Sequence, residues 1–337
     1  MKSLILVLTI FFFNQYLAAN TTPFFNRITV IDGLASNNVH AIWQDKRGYI
    51  WVGTSNGLQR FDGKYFLYFN IKKPKILPAQ PVRQIMEDRE GNMWLRYGEE
   101  YGIYNPADLS FRKIPFEKEE ERYKGEKLWI DSKGEVYVML VKNKLLHYDK
   151  KKEVFTESNL PIRIPDGFQP NHVFEDIRTG FYWISCQQGM AVYDPKTKNV
   201  YSKGNNPHNL PNLNNPEITS VSSYLIDRQR NHRLVYWNPN QKFISYSEKL
   251  NQYTPDASSL INTTPEYKEI QGCLETKSGE LWYYGVNSLY VLAGQNKSFD
   301  FLRNEFLKYI QIYQIHEDRE GRFWFIGTRW KRGNPYC

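Results

Sequence analysis

The chain has 337 residues, 41% hydrophobic and 16% aromatic, with 24 Tyr, 20 Phe and 9 Trp. That length fits two ordinary domains or one large repeat domain, and the aromatic richness favours strands. A formal charge of +8, from 44 Lys and Arg against 36 Asp and Glu, is spread along the whole chain. No Lys/Arg run resembles a nucleic-acid arm, so the excess reads as a solubilising surface with a slight bias toward anionic partners.

Residues 1–19 differ in kind from the rest. Lys2 gives a short positive start, Leu4 to Phe13 is apolar apart from Thr9, and Leu17-Ala18-Ala19 offers a small-residue cleavage site before Asn20. This reads as a secretory signal peptide, and the apolar run is too short to span a bilayer. No Cys follows it, which argues against a lipoprotein anchor, and residues 20–337 hold no other apolar segment of membrane-spanning length. The mature chain is therefore expected to be exported. Its cysteines, Cys186, Cys273 and Cys337, have neither metal-ligand nor redox spacing. A bridge between Cys186 and Cys273 stays open in an oxidising compartment.

From residue 39 onward one phrase recurs. An alternating apolar strand runs into an Asp-x-x-Gly turn and returns through a strand centred on an aromatic. The turns are Asp45–Gly48, Asp88–Gly91, Asp131–Gly134 and Asp318–Gly321, with looser copies at Asp176 to Gly180, Asp227 to Asn231 and Thr276 to Gly279. They define seven units, starting near residues 39, 82, 126, 171, 218, 267 and 312. Asp at the first turn position caps the turn with its own side chain, and Gly at the fourth takes positive φ. One carboxylate per turn is a structural pattern and not a calcium loop. Three residues past most of these glycines stands an aromatic: Trp51, Trp94, Tyr137, Trp183, Trp282 and Trp324. A group required in every unit is read as packing between units, because a ligand needs one special place.

Third and fourth strands follow, as in Gly57 to Asp62 with Phe66 to Phe69, and Gly189 to Pro195 with Val200-Tyr201. Four short strands in a unit of about 45 residues are the signature of a β-propeller blade. The expected fold is all-β, a β-propeller of about seven four-stranded blades, the last incomplete because residues 312 to 327 supply only two strands. Phe25 to Ile31 is strand-like and is expected to pair into that last blade and help close the ring.

The stretch Asp32 to Val39, through Asp45, Gly48, Ile50-Trp51-Val52-Gly53-Thr54 and Asn56-Gly57-Leu58 to Phe61-Asp62-Gly63, resembles the two-component regulator propeller repeat. The resemblance covers nearly all of the mature chain and is weakest in the fifth unit. It implies a periplasmic sensor of a hybrid two-component system of the kind typical of Bacteroidetes. Such proteins combine tandem propellers with an immunoglobulin-like domain, a membrane helix, a histidine kinase and a response regulator, and many recognise oligosaccharides. Kinase, receiver and DNA-binding segments are not found in this sequence, so it is expected to be an N-terminal fragment that stops just after Gly327-Thr328. The full-length relatives imply anchoring in the inner membrane and homodimerisation.

Recognition is expected in loops that the scaffold holds rigid. The candidate ligand-binding residues are Arg96 and Tyr97, where Arg96-Tyr97-Gly98-Glu99 breaks the Gly-Thr-x-x-Gly pattern. An oligosaccharide, neutral or anionic, is the expected partner, with no cofactor and no metal. A carbohydrate-active enzyme on the same scaffold is the alternative: a polysaccharide lyase wants a His cluster, whereas the six His are scattered singly, and a glycoside hydrolase wants converging carboxylates. A non-catalytic interaction propeller is the third reading.

Overall fold

The computed structural model describes residues 25–69, 80–119, 125–140, 144–215, 218, 221–236, 243–254, 269–293, 297–300 and 310–329. The segment read as a signal peptide, the end of the chain beyond residue 329, and parts of the inter-unit loops lie outside the described residues.

Within each unit the described strands pair antiparallel with the strand before or after them in sequence. The first blade is built from Val39–Gln44, Ile50–Thr54, Gly57–Phe61 and Phe66–Tyr68, in that order across the sheet. Units two to five repeat the arrangement. Among the described residues there are six sheets, so the expectation of about seven blades is corrected. The physical reason lies in the last unit, which has only the strands Ile310–Glu317 and Phe323–Arg329. Its first strand joins the second strand of the sixth unit at one register position, Val286 opposite Gln311, and the two units merge into one six-stranded sheet.

Blades of this kind bury aromatic faces against one another. Each pair of neighbouring units encloses a hydrophobic core, and so does the junction of the last unit with the first. Trp51, fully buried, stacks on Phe69 at 5.2 Å and meets Tyr104 of the second unit edge-on at 5.8 Å. Trp94 meets Tyr148 of the third unit at 5.0 Å, and Trp324 meets Phe61 of the first at 5.9 Å. The regular aromatics are therefore packing groups, as their recurrence implied.

The ring closes by side chains and single hydrogen bonds. Gln314 Nε2 donates to the Ile42 carbonyl at 3.2 Å, and the Arg319 amide donates to Gln44 Oε1 at 2.7 Å. The N-terminal segment does not supply a strand there. Val30–Asp32 is a short 3-10 helix, because Thr29 and Asp32 form a capping box and Gly33 leaves it at φ +103°. The segment contributes instead through Phe25, which packs on Phe325 at 5.7 Å, and through Ile28 in the closing core. Cys186 and Cys273 are both free thiols, which removes the open disulfide.

Candidate functional site

One face of the ring carries the Asp turns, and their chemistry is structural. Asp45 Oδ1 accepts from the amides of Arg47 and Tyr49 at 2.9 and 3.0 Å, and Oδ2 accepts the Trp51 indole N–H at 2.8 Å. Asp88 and Asp318 hold Trp94 and Trp324 in the same way, at 2.9 and 2.8 Å. One carboxylate thus fixes both the hairpin and the buried aromatic six residues on. Where the aromatic changes, the anchor adapts: Tyr137 OH donates to Asp131 at 3.3 Å, and in the fifth unit Arg233 replaces the Trp and forks onto Asp227 at 3.0 and 3.1 Å.

A latch on the same face links successive turns. The amide one residue past the turn Asp donates to the side chain just before the next unit's turn. Lys46 reaches Glu87 at 3.0 Å, Ser132 reaches Glu175 at 2.6 Å, Arg228 reaches Glu275 at 3.0 Å and Lys277 reaches Glu317 at 2.6 Å. These groups are committed to holding the ring.

The opposite face is less regular. Neighbouring first strands approach one another around the ring, so they line its axis. Near the start of nearly every first strand the pairing slips by one residue. Val39 and Ala41 face Thr54 and Gly53, leaving His40 as a bulge, and Val82 and Gln84 leave Arg83. Equivalent slips leave Glu126, Asn171, Ser222, Gln271 and Tyr313. A bulge bends the strand and re-aims its side chains. Here it places His40, Arg83, Asn171, Gln271 and Tyr313, polar residues of different types, at this end of the first strands.

The mouth is divided chemically. In the third and fourth units Lys127 Nζ lies 3.0 Å from His172 Nδ1. An ammonium only donates, so Nδ1 accepts and His172 carries its proton on Nε2. Burial first, then the Lys127 charge, hold the His172 pKa well below its ordinary value. Lys127 remains exposed to solvent, so the desolvation that pulls its ammonium down to about 8 acts in a wet mouth and not in a dry core. His40, held by Ser55 Oγ at 2.9 Å, is lowered by burial and then by Arg83. In the later units the groups are neutral donors and acceptors. Gln311 Nε2 donates to Gln271 Oε1 at 3.2 Å, and Tyr313 OH lies 2.8 Å from Thr328 Oγ1.

Arg96 and Tyr97 lie in the second strand of the second blade. Tyr97 is 4% exposed and packs on Phe111 at 5.5 Å within the core shared with the first blade. Burial raises its phenol pKa. Arg96 lies 3.8 Å from Glu99 and over the Tyr101 ring at 5.9 Å. The bulged residues had a sequence signal of their own: each stands five before its turn Asp or Thr276, polar in all seven units yet never repeated, whereas Lys127 and His172 stand one residue later. A groove of about 910 Å³ between the third and fourth blades includes Lys144, Glu157, Arg163 and Asp166. Its Lys144 and the nearby Lys118 both pair with Glu157 at 2.7 Å. Among the described residues, no group of three or more His, Cys, Asp and Glu could hold a metal ion, and no helix is long and apolar enough to cross a membrane.

Fold and blade architecture define the chain as a β-propeller. Residues 33–56 match the two component regulator propeller model, so the repeat read in the first unit is a two-component regulator propeller repeat. A curated relative, histidine kinase P4 of Formosa agariphila, is 49% identical over 49 residues, which is 14% of this chain and 4% of that protein. Among solved structures, the extracellular domain of a B. thetaiotaomicron hybrid two component system superposes with a TM-score of 0.60 at 17% identity, over 89% of this chain and 40% of that one. A second such domain from B. thetaiotaomicron gives 0.59 at 15%, over 86% and 40%. Virginiamycin B lyase from Staphylococcus aureus, in a structure with quinupristin, gives 0.60 at 12%, over 87% and 94%. The chain thus spans less than half of the two-component domains it matches, and these likenesses establish the fold.

Proposed function

We propose that this chain is an exported, non-catalytic sensing propeller of a hybrid two-component signalling protein, and that its ligand is an oligosaccharide bound at the axial mouth. The observation that carries the reading is the regulator propeller repeat at residues 33–56, in a chain whose fold follows two-component extracellular domains over most of its length. The mouth supports it, because a ring of dissimilar donors and acceptors suits a polyhydroxylated ligand. In this reading Arg96 and Tyr97 stiffen the second blade beneath the mouth, the chain works in the periplasm, and dimerisation belongs to the full-length protein. An enzyme reading is favoured by one observation, the superposition on nearly the whole of virginiamycin B lyase.

Calorimetry of the purified chain against neutral, sulfated and uronic-acid oligosaccharides, with mass-spectrometric product analysis of the same samples, tests the proposal. Saturable binding with intact ligand is the expected result. Cleavage or elimination products would establish the enzyme instead.

A further inference from the structure

Of the seven bulged residues only Tyr313 carries a phenol ring. The ring is 50% exposed, whereas tyrosines of the blade interfaces such as Tyr101 and Tyr137 are buried. Its hydroxyl is nonetheless pinned. Tyr313 OH donates to Gln311 Oε1 at 3.3 Å, so in its 2.8 Å bond with Thr328 Oγ1 the threonine donates. Gln311 Nε2 passes the chain on to Gln271 Oε1 at 3.2 Å, and Gln271 Nε2 lies 3.5 Å from Glu269 Oε1. The bonds run one way, from Thr328 in the last unit to Glu269 in the sixth, and bonds aligned in this manner polarise one another. They fix the phenol while leaving half of it in water, which packing alone does not require. Among the described residues the Gln311 and Gln271 amides each keep one N–H without an acceptor.

We infer that Tyr313 is a platform on which one uncharged pyranose ring of the ligand stacks, its hydroxyls taking the spare N–H groups of Gln311 and Gln271. This rests on the sensing reading and adds to it a subsite and the residue that carries it. A pyranose with mainly equatorial hydroxyls turns C–H bonds out of its ring faces, and their slight positive charge suits the negative face of a phenol ring. The hydroxyls radiate from the rim of the sugar, toward groups that flank the platform. A few polar groups placed beside an apolar surface are what orients a bound small molecule.

The test is calorimetry of the whole chain against a neutral β-linked glucose tetrasaccharide, a neutral α-linked mannose tetrasaccharide and a sulfated uronic-acid tetrasaccharide. Tyr313→Ala should weaken binding of a neutral sugar by about tenfold or more, and Tyr313→Phe, which keeps the ring, by no more than about threefold. Tyr65→Ala, which removes another exposed phenol from the turn between the third and fourth strands of the first blade, should leave binding unchanged. Circular dichroism and urea midpoints show that all three variants fold. Saturation-transfer NMR is expected to place the C–H protons of one sugar face against the protein. Equal losses in Tyr313→Ala and Tyr313→Phe would assign the effect to the hydroxyl and overturn the platform. A neutral sugar bound alike by the original chain and Tyr313→Ala keeps the sensing reading and overturns the platform. Binding of the sulfated uronic-acid sugar alone does the same. No binding of any probe overturns both.

Discussion

The bond between a turn aspartate and the indole six residues on can be tested in the second blade. Asp88 accepts from the amides of Glu90 and Asn92 at 3.0 and 2.9 Å and from the Trp94 indole at 2.9 Å. The indole is 2% exposed, so Asp88→Ala strands its N–H away from water, at about 1–3 kcal/mol. Water can replace the acceptor for the two turn amides, which adds roughly 1 kcal/mol. The sum is about 3 kcal/mol. Trp94→Phe removes the donor and part of the ring, and is expected to cost about 2 kcal/mol through the lost bond and the void. If the bond is the shared cause, the double variant costs less than the two singles added, by about 1.5 kcal/mol. Urea unfolding followed by far-ultraviolet circular dichroism gives all three values. Additivity within about 0.5 kcal/mol would show that Asp88 and Trp94 act independently and would refute the reasoning.

A Cβ at Gly53 would stand 2.4 Å from the Val82 carbonyl oxygen of the next blade, whereas one at Gly48 meets nothing within 4 Å. Gly53→Ala should therefore cost well over 2 kcal/mol, and Gly48→Ala only the roughly 1 kcal/mol of its φ of +95°, a ranking that urea midpoints check. In the fifth unit Glu248 bonds His232 Nε2 at 2.7 Å and forks with Arg230 at 2.7 and 2.8 Å, and despite partial burial these bonds lower its pKa to about 2. A lowered folded pKa gives stability that is present above the unfolded value and is lost as pH falls from about 4.5 toward 2. After screening by solvent it amounts to about 2 kcal/mol, and Glu248→Gln should flatten this part of a urea-midpoint profile between pH 6 and pH 3. Arg319 donates to the Asp45 and Lys46 carbonyls across the closure. Arg319→Ala should speed amide exchange in the first blade and the last unit while the third and fourth blades keep their protection, and uniform acceleration would contradict the closure described.

The propeller was legible because its physics repeats. Asp, Gly and Trp recur at fixed spacing since each unit must turn, hold its aromatic and pack on a neighbour. Two features were not legible for the opposite reason. Phe25 to Ile31 alternates like a strand, but Thr29 and Asp32 cap each other and Gly33 turns the chain, so local hydrogen bonds overrode the pattern. The merging of the last two units rests on the register pair Val286 and Gln311, on the Asn287 amide donating to the Ile310 carbonyl at 2.8 Å and on a shared core, none of which the repeat spacing encodes. At the site, Arg96 and Tyr97 drew notice by breaking the repeat, yet the strand turns Tyr97 into the core. His40 and His172 stand singly along the chain. They become related only when the units are aligned on their turns, where they stand five and four residues before Asp45 and Asp176.

A crystal structure of the chain with a bound oligosaccharide tests the central claim most directly. The account predicts ligand density over the axial mouth, at the starts of the first strands. Density in the groove beside Glu157 and Arg163, or on the face of the Asp turns, would contradict it.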